Sequence, residues 1–113
     1  MRVFGKFKKL ILLSAFALTL FPEQVSAKSV KGVVVYDKGC RSYFIVQTTM
    51  GYALLQWYGG NLPSNGDEIV GDIEMYGMKD IYNLSNSAST KVWVEEFWLS
   101  KSRVLEKLAD KCS

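Results

Sequence analysis

The sequence predicts a small all-β barrel of five strands, closed by a C-terminal helix and braced by one disulfide. Three observations predict it. Short runs of β-branched and aromatic residues recur between clusters of Gly, Asn, Asp and Pro. After Ser100 the apolar residues change from an alternating to a helical period. Two cysteines, Cys40 and Cys112, stand near opposite ends of the domain.

The chain opens with an address. Arg2, Lys6, Lys8 and Lys9 form a basic start, and Leu10 to Phe21 is an uncharged run rich in Leu, Ala and Phe. Pro22, Glu23, Gln24 and then Val25-Ser26-Ala27 follow, with small residues where a signal peptidase cuts. This three-part layout predicts a secretory signal peptide over residues 1–27, cleaved after Ala27. The apolar run falls short of the roughly 20 residues that a membrane-spanning helix requires. The competing reading is an uncleaved N-terminal anchor. The domain is then residues 28–113, long enough to bury a core. The whole chain carries a net charge of +3. The leader holds four basic residues and one acid, so the remainder, with ten of each, is neutral. Arguments from basicity to nucleic acid would rest on residues that cleavage discards.

Val30 to Tyr36 reads as the first strand, and Asp37-Lys38-Gly39 as a turn. Tyr43 to Thr49 is the second strand, broken by Met50-Gly51, and Tyr52 to Tyr58 is the third. Gly59 to Asp67 is a loop, since nearly every residue in it favours turns. Glu68 to Tyr76 reads as the fourth strand, bent at Gly71. Gly77 to Thr90 reads as a polar connection, and Lys91 to Leu99 as the fifth strand. Asn83-Leu84-Ser85 within the connection has the spacing of a glycosylation acceptor. Val104, Leu105, Leu108, Ala109 and Cys112 share one face of a helix that Ser100 or Ser102 caps. An even cysteine count in an exported chain predicts a Cys40–Cys112 disulfide pinning that helix to the sheet.

The run Gly66-Asp67-Glu68-Ile69-Val70-Gly71-Asp72-Ile73 resembles the Gly-Asp-x-Val-x-Gly-x-Ile opening of a late strand in S1-like OB-fold domains. Gly32-Val33-Val34, Tyr43-Phe44-Ile45-Val46 and Gly51-Tyr52-Ala53-Leu54-Leu55 stand upstream in the matching order. The resemblance covers about residues 30–99 and implies an OB-like barrel; the same pattern also suits an SH3-like barrel. It implies single-stranded RNA as the family's usual ligand, which a neutral exported domain does not favour. The family places a helix between its third and fourth strands, where this chain has the short Gly59–Asp67 loop.

Alternation divides the second and third strands into two faces. Phe44, Val46, Ala53, Leu55 and Trp57 form the apolar set and read as core. Tyr43, Ile45, Gln47, Tyr52, Leu54, Gln56 and Tyr58 form the other set, beside Arg41. In OB-folds the outer sheet face binds oligonucleotides and oligosaccharides. The ligand-binding candidates are therefore Arg41, Tyr43, Gln47, Tyr52, Gln56 and Tyr58. The competing reading is that the C-terminal helix covers this face. On the fifth strand, alternation puts Trp93, Phe97 and Leu99 on one side, with Val92, Val94 and Trp98 on the other.

The chain contains no His, which removes the commonest general base and the usual zinc-ligand sets. Glu95-Glu96 and Asp67-Glu68 are neighbouring carboxylates, and neighbours on a regular strand face opposite ways. No catalytic residue, metal ligand or cofactor is expected. The expected role is an exported, non-catalytic binding module of the bacterial cell envelope, periplasmic or secreted, recognising a protein or glycan. The alternatives are a structural or inhibitory envelope protein acting through another surface, and a small carboxylate-based hydrolase. Nucleic acid is not an expected partner, and no membrane span is expected after cleavage.

Overall fold

Six strands, rather than five, close the barrel in the computed structural model, which describes residues 29–113. The leader expected at residues 1–27 lies outside the described residues. The elements are β1 (Val30–Tyr36), a short 3-10 turn (Cys40–Ser42), β2 (Tyr43–Thr48), β3 (Gly51–Gly60), β4 (Glu68–Gly71), β5 (Gly77–Asn83), β6 (Ala88–Leu99) and α1 (Lys101–Cys112). Around the barrel the order is β1-β2-β3-β6-β5-β4, closing back on β1. All neighbouring strands are antiparallel. β4 returns to lie beside β1, so the first four strands form a Greek key.

The extra strand is β5, in the segment that reads as a polar connection. Its burial alternates, but only Ile81 and Asn83 are fully enclosed. The inward side carries one large apolar residue, so the period-2 signal of a half-buried strand is nearly absent. The expected fourth strand ends early, at Gly71. There the chain passes so close to β5 that a Cβ on Gly71 would lie 2.5 Å from Ile81 Cγ2.

The barrel interior is filled by Val34, Phe44, Val46, Ala53, Leu55, Ile69, Ile73, Ile81, Val92 and Val94, with Trp57 and Phe97 packed against them. This contains the apolar set that alternation assigned on β2 and β3. A second core lies outside the barrel wall. Tyr43, Ile45 and Leu54 from β2 and β3 meet Val104 and Leu108 of α1 there. The helix is the second layer that lets Tyr43 to Val46 be buried on both faces. Ser100 caps α1, its side chain accepting a hydrogen bond from the Arg103 N–H. Cys112, at the far end of α1, is joined to Cys40, with the two Cα atoms 5.6 Å apart.

β6 departs from alternation. Leu55 pairs with Val94 and Leu54 with Glu96, so Glu95 is an extra residue. A second irregularity follows between Glu96 and Leu99, where Trp98 adopts φ 59°. Phe97 therefore joins Val92 and Val94 at the interior, and Leu99 packs under α1. Trp93, Phe97 and Leu99, expected on one side, thus have three different surroundings: solvent, the barrel interior and the underside of α1.

The two barrel ends differ in chemistry. One end is polar. Asn83, fully buried, donates through Nδ2 to Asn61 Oδ1 and Asp67 Oδ2, both at 2.9 Å. The glycosylation-like Asn83 is thus a structural residue with its amide engaged. Thr90 Oγ1 donates to the Asn61 carbonyl at 2.8 Å. The other end carries the β2–β3 turn, the loop 72–76 and the end of β6.

Candidate functional site

α1 runs along the outer face of β2 and β3 and divides the face that alternation identified. On its β6 side the cover is sealed by charge. Lys111 Nζ lies 2.9 Å from Glu95 Oε2, and Lys107 Nζ lies 3.8 Å from Glu96 Oε2. The bulge at Glu95 is what aims both carboxylates at the helix, against the expectation that they face opposite ways. Tyr43 sits beneath this seam, and its hydroxyl donates to Glu95 Oε1 at 3.4 Å. Burial, and then the nearby Glu95 carboxylate, raise the Tyr43 pKa above its ordinary 10.0, while the Lys111 cation opposes them. The hydrogen bond and charge of Glu95 raise Lys111 above 10.5.

On its β1 side the helix leaves the sheet open. A groove of about 380 Å³ runs between the first half of α1 and strands β1 to β3. Val35, Ile45 and Val104 contribute aliphatic surface to it. Tyr36, Tyr52 and Leu105 add larger side chains, with Tyr36 and Leu105 among the exposed large hydrophobics. Gln47 and Lys101 supply its polar groups. Among the described residues no carboxylate pairs with Lys101. The volume, and an apolar lining with few polar groups, match what binding clefts generally offer.

The six expected residues are therefore separated. Gln47 and Tyr52 are directly paired across β2 and β3 and line the groove together. Tyr43 is only 6% exposed and belongs to the core beneath the helix. Gln56 Nε2 donates to the Arg41 carbonyl at 3.0 Å, which ties it to the 3-10 turn. Arg41 and Tyr58 are exposed, and neither lines the groove. Tyr58 borders a separate shallow pocket with Gly59, Gly60 and Lys91.

Sequence reasoning missed Val35, Tyr36, Lys101 and Leu105. A register shift between Val34 and Tyr36 breaks the alternation of β1, so neither period nor composition places Tyr36 at the groove. Leu105 reads as core by helical spacing, yet only Val104 and Leu108 of α1 are buried.

No protein-family model matches the chain, and no curated protein or solved structure matches it.

Proposed function

We propose that this protein is an exported, non-catalytic interaction module of the bacterial envelope. In this reading it takes an apolar side chain of a protein partner into the groove between α1 and the β1–β3 face. The observation that carries the reading is the open groove, with an aliphatic floor and Lys101 on its rim. Closure of the barrel favours recognition by side chains over strand addition, because a closed sheet offers no free edge. An aliphatic floor favours a partner's side chain over a sugar ring, which stacks best on an open aromatic face. Lys101 favours an acidic group beside that side chain. The leader-like start supports export. The Greek key of β1 to β4 supports an OB-like reading of the barrel, with β5 as an addition to the usual five strands.

Affinity capture from envelope extract tests the proposal, using protein exported with its own leader. The same partner is expected on wild type and on Tyr82→Ser, an exposed residue of β5 outside the groove. Leu105→Asp and Tyr52→Ala are expected to lose it while keeping the native circular dichroism spectrum. Retention of that partner by both groove variants would refute the assignment.

A further inference from the structure

We propose that the apolar end of the barrel docks on the interface of a lipid bilayer, with Met50, Met75, Tyr76 and Trp98 entering the headgroup layer. These four are the most exposed large hydrophobics of that end, at 62%, 46%, 60% and 60%. They come from three segments: the β2–β3 turn, the loop 72–76 and the end of β6. The segments are held as one surface. Thr48 Oγ1 donates to Glu74 Oε2 at 3.1 Å, joining the turn to the loop. Gly51 packs against the backbone of Trp98 and Leu99, where a Cβ would lie 2.7 Å from the Leu99 carbonyl oxygen. Tyr76 packs on Phe97 with the rings tilted by 50° and 4.7 Å between centroids, and Phe97 meets Trp98 edge-on at 5.2 Å. Phe97 closes the barrel, and Trp98 turns outward in a left-handed conformation that is unfavourable for a bulky side chain.

Two arguments select lipid as the occupant. Trp and Tyr rings suit the boundary between headgroups and acyl chains, where one edge is apolar and the other wet. The second argument is where the chain enters. Val30 pairs with Gly71, and Val33 with Gln47, so β1 begins at this same end. Residues 22–29 separate Val30 from the apolar run that ends at Phe21. Eight residues reach at most about 28 Å, so before cleavage after Ala27 a leader in the membrane keeps this end of the barrel close to it. Nearby, Lys79 pairs with Asp72 at 3.9 Å and the Glu74 carboxylate accepts from Thr48. None of the four entering side chains is charged, so docking is expected to be apolar and not to require anionic lipid.

The test uses protein exported with its own leader, vesicles of phosphatidylcholine carrying brominated acyl chains, and tryptophan fluorescence. Wild type is expected to be quenched, equally with phosphatidylglycerol present and at high salt. Trp98→Phe is expected to lose most of the quenching. Met50→Ser with Tyr76→Ser is expected to weaken partitioning about tenfold or more. A retained leader does not confound the result, because the comparison with Trp98→Phe reads contact at Trp98 itself. Leu105→Asp is expected to quench as wild type does, which separates this surface from the groove. Emission unchanged by vesicles would overturn the proposal, as would equal quenching of Trp98→Phe or binding that requires anionic lipid and low salt. A dimer that Trp98→Ser dissolves, without quenching, would assign the surface to a second copy instead.

Discussion

Tyr43 is the residue where the two layers of the molecule meet. Its ring belongs to the core under α1, and its hydroxyl reaches the Glu95 carboxylate that Lys111 also holds. Burial and Glu95 raise its pKa above 10.0, and Glu95 raises Lys111 above 10.5. Both groups hold their protons more tightly when folded than unfolded. Where pH lies between the unfolded and native values, the native state binds more protons, so stability falls as pH rises. The contribution is complete below about pH 10 and is lost through the native values above it. Urea midpoints should be flat from about pH 8 to pH 9 and decline beyond about pH 10. Tyr43→Phe should make that decline shallower, and phenolate absorbance of wild type should show one tyrosine ionising late. Superimposable pH profiles for the two proteins would contradict this placement of the hydroxyl.

At the scale of elements, α1 decides what the sheet displays, and the disulfide decides where α1 lies. The bridged cysteines are 72 residues apart. Closing a loop of that length restricts the unfolded chain by about 4 kcal/mol on the chain-entropy model. Replacing both cysteines by serine should lower the unfolding free energy by about 2–5 kcal/mol in urea titration. It should also speed tryptic cleavage at Lys107 and Lys111. An unchanged urea midpoint would show that the bridge does not brace the domain. The elements that pack strongly were legible in the sequence: β1 to β3, the start of β4 and the helix each present large apolar residues at a clear period. β5 was not, because Gly77, Lys79 and Asn83 share its inward side with a single Ile81. The irregularities at Val35, Glu95 and Trp98 were not legible either. Alternation assumes one residue of a strand for each residue of its neighbour, and each irregularity breaks that count. The face carrying Tyr43, Gln47 and Tyr52 was legible as the outside of the barrel. Its division by α1 into a sealed half and an open half depends on which turn of the helix meets which strand.

Residues 29–113 as a whole form a barrel with a polar end, an apolar end and one wall covered by α1. Asn83, Asn61 and Asp67 close the polar end with hydrogen bonds, and the chain enters at the apolar end. With ten basic and ten acidic residues after Ala27, the domain lacks the surplus cation that single-strand binding draws on. Fluorescence titration with mixed single-stranded oligonucleotides at physiological salt should show no sub-micromolar affinity. Salt-sensitive binding in that range would restore the nucleic-acid role that the S1-like pattern implies. Photo-crosslinking in the cell envelope can show whether a protein partner sits in the groove beside α1. A photoreactive residue replaces Gln47 or Leu105 in the groove, or Tyr82 on the far wall. A discrete, shared adduct is expected from positions 47 and 105 and none from position 82. An adduct from position 82 alone, or none from either groove position, would contradict it.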